Sequence, residues 1–532
     1  MKHLDCDFLI IGAGSAGCVL ANRLSENPQN RVVLLEAGGP DSDPLLHVPV
    51  VLARSLTLRA ISWGYYSEPE AGLGGRKIPL YRGKVLGGTS TINGMVYTRG
   101  HPHDYDRWQR EGCDGWAYAD VLPFFRKAEG SERGSSEFHG ADGPLRVSVG
   151  RPIPAICNAF LAAAQAEGFP THVDSNAEPH EGFGHYDANV YHGWRYSTAS
   201  AYLKAARSRP NLTVLIRCEA SRLLFEGERV IGAEAIQRGE ALRIEAGAET
   251  VLSGGAFNSP KLLMLSGIGP AERLRELGIP VRLDRPAIGQ NLQDHLTYRM
   301  SFSCTQPVTA YAHTRPIRGM KAILEYLLCR TGIVSNIPIP TGGFFRSDES
   351  LEIPDMQASC AIGIVPERGK LLPPREGFTV VVRQGRPRSR GVLSLRSADA
   401  KDSPIIAPRY FSDSEDMPTL IRGVRRLRNI VQNHKVAQFI GEELFPGRSV
   451  ANDDETLAAS IRETAGTTHH FIGTCRMGDD SEAVVDSQLR VRGVKALRVV
   501  DASIMPSHIN GNTNAPTIMI AEKGASMILG AQ

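Results

Sequence analysis

The apolar positions of this chain come in short runs that stop at glycine, and the first run sets the frame for the rest. Phe8-Leu-Ile-Ile11 follows Asp7 and breaks into Gly12-Ala-Gly14-Ser15-Ala-Gly17. An apolar run of this length bounded by glycine predicts a buried strand, and the residues after Gly17 read as a helix. A second run, Arg31-Val-Val-Leu-Leu-Glu36, completes a strand-helix-strand unit. Gly12, Gly14 and Gly17, with Ser15 in the turn, predict a loop whose backbone N–H groups face a dinucleotide pyrophosphate at the helix N-terminus. Glu36, about 20 residues past the third glycine, is placed to hold a ribose hydroxyl.

Later runs extend the pattern. Asn211-Leu-Thr-Val-Leu-Ile216 and Arg229-Val-Ile-Gly-Ala-Glu234 predict a β-meander, and Glu249-Thr-Val-Leu-Ser-Gly-Gly255 returns to the sheet. Ala496-Leu-Arg-Val-Val-Asp501 predicts a buried strand, followed by a helix from Ala515 to Leu529. Strand-like, nucleotide-facing segments thus fall in separated blocks, and 532 residues exceed what one hydrophobic core usually organises. The expected division is a discontinuous nucleotide-binding domain of residues 1–150, 206–300 and 461–532. The Pro-rich, irregular residues 151–205 and 301–460 are expected to shape a substrate site.

Composition narrows the partners. With 60 basic and 57 acidic residues, the formal charge is +3, and the charges are spread without long basic runs. A nucleic-acid partner is therefore not expected. The nine cysteines form neither a metal knuckle nor a disulfide scaffold, so no metal site and reduced thiols in a cytoplasm are expected. The first strand begins too close to Met1 for a signal peptide. No run of about 18 apolar residues predicts a spanning helix. Peripheral contact with a membrane is left open.

The second glycine cluster is Gly87-Gly88-Thr89-Ser90-Thr91-Ile92-Asn93-Gly94, whose paired glycines and hydroxyls suit close approach to a flat polar ring system. It resembles the first sequence pattern of the glucose-methanol-choline (GMC) family of FAD-dependent oxidoreductases. Gly255-Ala-Phe-Asn-Ser-Pro260 through Ser266-Gly267-Ile-Gly269 resembles that family's second pattern. Asn291-Leu-Gln-Asp294-His295, His470-Phe-Ile-Gly473-Thr474 and Asn512-Thr-Asn514-Ala-Pro516-Thr517 continue the likeness over essentially the whole chain. Its texture is nearest to bacterial choline-dehydrogenase-like and sorbose-dehydrogenase-like members.

The resemblance implies an α/β protein: a Rossmann-like FAD-binding domain with a second, α+β substrate domain built on an antiparallel sheet. It implies FAD contacts at Gly87, Gly88, Thr89, Ser90, Asn93 and Gly94, at Asp501, Asn514 and Thr517, and at Ala220 through its backbone. Ile92 stands where covalently flavinylated members carry a histidine, so FAD is expected to be non-covalent. The helix near Ala515 is expected to aim its positive N-terminal end at the flavin.

Oxidising an alcohol with a flavin needs a base for the hydroxyl proton and a donor for the alkoxide while the hydride goes to flavin N5. The resemblance implies His470 as the base and Asn514 as the donor, with His469 and Phe344 near the substrate. Choline enzymes place an acid near the stretch equivalent to Pro340–Phe344, and this chain has none there. An uncharged primary alcohol is therefore expected, such as a sugar-like, polyol, aryl or alkyl alcohol, with a quinone-type acceptor or dioxygen taking the electrons. Dehydrogenase is favoured over a peroxide-forming oxidase of aryl or furan-type alcohols. Two rivals remain at this point: a hydroxynitrile lyase, which this family includes, and a nicotinamide-dependent dehydrogenase resting on the first strand-helix-strand unit alone.

Overall fold

The computed structural model describes residues 2–51, 58–151, 154–365, 375–447 and 450–530. The strand Lys2–Ile11 lies between two parallel neighbours, Val32–Glu36 and Glu240–Leu252. Val32–Glu36 is buried at every position, as expected of a parallel strand covered on both faces. Leu497–Val499 adds in parallel at the carboxyl end of Glu240–Leu252, which delivers Asp501 to the same edge as the Gly12 turn.

The expected meander is displaced. Leu212–Ile216 is a parallel neighbour of Val32–Glu36, and the antiparallel meander is Cys218–Glu226, Arg229–Gln237 and Glu240–Leu252. Cys218–Glu226 alternates too weakly to stand out in sequence, because most of its residues are only partly buried.

A second sheet is antiparallel throughout, in the order Ile440–Phe445, Leu296–Cys304, Gly377–Gln384, Met356–Ala361, Thr341–Phe345, Gly182–His185. Its two central strands alternate with period two. Met356, Ala358, Cys360, Phe378, Val380 and Val382 enter the core, whereas Gln357, Ser359, Val381 and Arg383 point to the opposite face. The register pairs Gln357 with Arg383 and Ser359 with Val381.

Two long-range links join the chain's early and late parts. The guanidinium of Arg23 on helix Ser15–Leu24 donates twice to Glu522 on helix Asn514–Gly530, at 2.8 and 2.7 Å, and Tyr202 adds a hydroxyl donor to the same carboxylate. Glu522 is fully buried, so this pair fixes how the two helices meet more than it adds net stability. Gly466–Thr467 pairs with Leu296–Thr297, which sets the residues just before Leu296 against those just after Thr467.

Candidate active site

The two sheets face each other across a cavity of about 430 Å³, lined at one end by Gly12, Gly14, Glu36 and Ala220 and at the other by Gln357, Arg383, His470 and Asn512. At the first end the glycines have distinct reasons. A Cβ on Gly17 would lie 1.8 Å from the Gly12 carbonyl oxygen, and one on Gly12 would lie 2.5 Å from that of Ser253. Gly14 differs: its Cβ would meet only the Gly88 Cα, at 4.0 Å, and would otherwise enter the cavity. The Gly12 turn therefore offers a smooth backbone floor of the kind a pyrophosphate needs.

Glu36 is buried, and its carboxylate accepts from the N–H groups of Ala13 and Gly38 at 3.1 and 2.7 Å. Burial pushes its carboxyl up to about 7. Asp501 accepts from the Gly255 N–H and the Ser259 hydroxyl, and Ser503 N–H donates to its other oxygen. Thr89, Asn93, Gly94, Ser15 and Thr517 also line the cavity. Gly17, Gly87 and Ser90 stand behind its wall, where the Ser90 hydroxyl donates to the Gly87 carbonyl at 2.6 Å.

At the other end, the pairing of Gly466–Thr467 with Leu296–Thr297 assembles the histidine site. Thr468 N–H donates to the His295 carbonyl, and His470 N–H donates to Asp294 Oδ1 at 2.8 Å. Asp294 is held in turn by the hydroxyls of Tyr410 and Thr467. His508 Nε2 lies 2.9 Å from the His470 carbonyl and its ring stacks on His295 at 3.6 Å. His470 is thus fixed through its own backbone before its ring makes a contact.

The ring contacts decide its chemistry. Asn512 Oδ1 receives Thr98 Oγ1 and an Arg383 N–H, both at 3.2 Å, so its amide nitrogen faces His470 Nε2 at 3.3 Å. Nε2 meets that donor only as an acceptor. On the other side, His295 gives its Nε2 proton to the Gly385 carbonyl at 2.8 Å, which leaves its Nδ1 a lone pair 3.0 Å from His470 Nδ1. His470 Nδ1 thus faces His295 on one side and the donor-only Arg383 guanidinium on the other, while Nε2 faces the Asn512 amide and the cavity. Burial, then the Arg383 charge, 2.6 Å from Nδ1, hold this imidazole well below the usual histidine range, so it stays unprotonated.

Not every expected residue arrives where the motifs put it. Asn514 lines the cavity, but its Oδ1 accepts from Ser15 Oγ at 2.8 Å, tying the first glycine turn to the start of the last helix. Asn512, two residues earlier, is the asparagine beside His470. Phe344 is buried edge-on to Tyr186 outside the cavity lining, and Ile339 supplies that part of the wall. His469 lines the cavity in a left-handed conformation, φ 65°, with its ring edge-on to Tyr81. Arg383 and Gln357 escaped the motif reading altogether. Their signal was present: Arg383 directly follows the apolar run Val380-Val-Val382, inside the strand and at a position facing away from the core.

The ends of the cavity differ in charge. Glu36, Glu219 and Asp501 are its carboxylates among the described lining residues, and all belong to the dinucleotide-type sheet. The histidine end has Arg82 and Arg383, both brought down to about 10 by burial. Arg383 makes no salt bridge among the described residues; its partners are Gln357, Asn512, His470 and Thr468.

Comparison with known proteins accounts for this arrangement. Residues 6–297 match the N-terminal part, and residues 387–521 the C-terminal part, of the family described as GMC oxidoreductase. The chain belongs to the GMC oxidoreductase family. It is 46% identical to human mitochondrial choline dehydrogenase over 99% of this chain and 90% of that protein. It is 43% identical to the oxygen-dependent choline dehydrogenase of Sinorhizobium fredii, over 99% of this chain and 96% of that one. Among solved structures, pyridoxine 4-oxidase from Mesorbium loti superposes with a TM-score of 0.90 at 32% identity, covering 98% of each chain. An Aspergillus oryzae formate oxidase variant gives 0.93 at 25% identity over 100% and 99%. As a GMC oxidoreductase this protein is an FAD-dependent enzyme acting on CH–OH groups, which removes the nicotinamide reading. The glycine floor beside Gly14, open to the cavity, fits that cofactor.

Proposed function

We propose that this GMC enzyme oxidises an uncharged primary alcohol to the aldehyde, with His470 taking the hydroxyl proton at Nε2 and Asn512 donating to the developing alkoxide. FAD, when bound, supplies the hydride acceptor. The backbone turn at Gly12–Gly14 would hold its pyrophosphate and Glu36 its ribose, with Asp501 near the pyrophosphate and ribityl chain and the N-terminus of helix Asn514–Gly530 at the ring end. Asn514 serves this cofactor-holding side through Ser15, while the pairing with the base passes to Asn512. A quinone- or dye-type compound is the proposed electron acceptor, and a peroxide assay run beside dye reduction tests that against dioxygen.

The observation that carries the substrate class is the charge at the histidine end. The relatives' names favour choline as a second reading. A quaternary ammonium would enter beside Arg383 and Arg82 with no carboxylate among the described lining residues of that wall, and the buried Asp294 behind the lining offsets only part of their charge. Two like charges about 4 Å apart repel by about 4 kcal/mol at an effective dielectric of about 20. An aromatic face returns about 0.5–2 kcal/mol to a cation. Repulsion wins, so neutral primary alcohols are expected to show higher kcat/KM than choline in a broad panel. A choline preference over every neutral alcohol would overturn this reading.

The two asparagines separate in their effects. Asn512→Ala is expected to lower kcat by roughly tenfold to a hundredfold, matching the about 1.5–3 kcal/mol of a hydrogen bond to a charged group. Asn514→Ala is expected to loosen FAD while leaving kcat of the FAD-saturated enzyme within a few-fold. Turnover measured with and without added FAD reads both, and the reverse pattern would return the donor role to Asn514.

A further inference from the structure

The helix Pro316–Cys329 carries six exposed apolar side chains, Ile317, Met320, Ile323, Leu324, Leu327 and Leu328, between 50 and 81% exposed. Elsewhere among the described residues, large exposed apolar side chains are scattered singly, at Leu45, Tyr66, Val173, Tyr191 and Ile236. With about 3.6 residues per turn, the six fall on one arc, and the buried residues Ala322 and Tyr326 fall on the opposite side. Tyr326 fastens that inner side by donating to the Gly193 carbonyl at 3.1 Å. The helix is therefore anchored by its narrow face and presents its wide apolar face outward. A contiguous apolar patch of this kind marks an interaction surface.

Its rim is cationic. Arg315, Arg318 and Lys321 are exposed, and Arg330 caps the far end over the rings of Trp194 and Tyr326. Glu325 is the helix's one acid, and it receives a hydroxyl from Thr331. We propose that this helix lies flat on an anionic lipid surface, with its leucine face among the acyl chains and its Arg and Lys side chains at the headgroups. That combination of apolar arc and basic flank is the signature of an interfacial helix. The chain runs from this helix through Ile333–Ser335 to Ile339 in the cavity wall.

The test is co-sedimentation of the full-length, FAD-loaded enzyme with phosphatidylcholine vesicles, with and without phosphatidylglycerol, at low and high salt. The enzyme is expected to pellet with the anionic vesicles and to be released by salt. Leu324→Gln/Leu328→Gln is expected to weaken binding at least about tenfold, since both leucines lose their burial among the acyl chains. Arg318→Glu/Lys321→Glu should abolish the preference for anionic lipid. All four positions are exposed, so flavin content and turnover of the soluble enzyme should not change. Failure to pellet with anionic vesicles, or pelleting that survives the leucine changes, overturns the proposal. So does a mass that doubles with concentration in sedimentation velocity and reverts to monomer in the leucine variant, which would assign the face to a second copy.

Discussion

Replacing His470 by alanine is expected to lower kcat by about 10²–10⁴, the usual contribution of a positioned general base, while FAD and its visible spectrum are retained. FAD retention is expected because His470 is held by Asp294, His295 and His508, none of which belongs to the glycine-floored end of the cavity. The pH profile gives an independent reading. Burial and the Arg383 charge disfavour the imidazolium, so the folded pKa lies below the ordinary value of about 6.5. The base form then persists as pH falls through 6.5, and kcat/KM should decline only at more acid pH. In His470→Ala that acid limb should vanish. If His469→Ala abolished turnover and His470→Ala left flavin reduction by the alcohol near normal, the base would move to His469.

Gly14→Val is expected to give a folded but colourless protein. The side chain would project from the one glycine of the first turn whose Cβ meets open cavity, into the space proposed for the pyrophosphate. Changes at Gly12 or Gly17 would not test this, because their Cβ atoms collide with backbone and would damage the turn itself. The flavin-to-protein absorbance ratio reads the effect, and an unchanged thermal midpoint of the apoprotein shows the fold intact. Acid precipitation of the unaltered protein should release all its yellow colour, as Ile92 offers no atom for a covalent link. Full FAD content in Gly14→Val, or flavin in the acid pellet, would place the cofactor differently.

Much of the first end of the site was legible because backbone chemistry leaves strong marks. Gly12, Gly14, Gly17 and Glu36 follow from what a strand-turn-helix must do to expose N–H groups, and all sit at the edge the pattern predicts. The histidine end was legible only in part. His470 was marked by a motif, but its partner depended on a side-chain orientation: Asn512 and Asn514 bracket Thr513 at a helix start, and spacing cannot say which turns toward Ser15. Arg383 was hidden for another reason. Its meaning comes from the register that sets it opposite Gln357 on the cavity face, and register is a property of two strands.

The bond between Ser15 and Asn514 joins residues 499 apart, as does the clamp of Arg23 on Glu522. During synthesis the glycine turn is made early, and N-terminal segments generally fold first. Its floor nevertheless lacks its far wall until Asn514 has been translated. A nascent chain therefore carries the cleft without its far wall until residue 514 has been made, and only then can the Ser15–Asn514 bond close it.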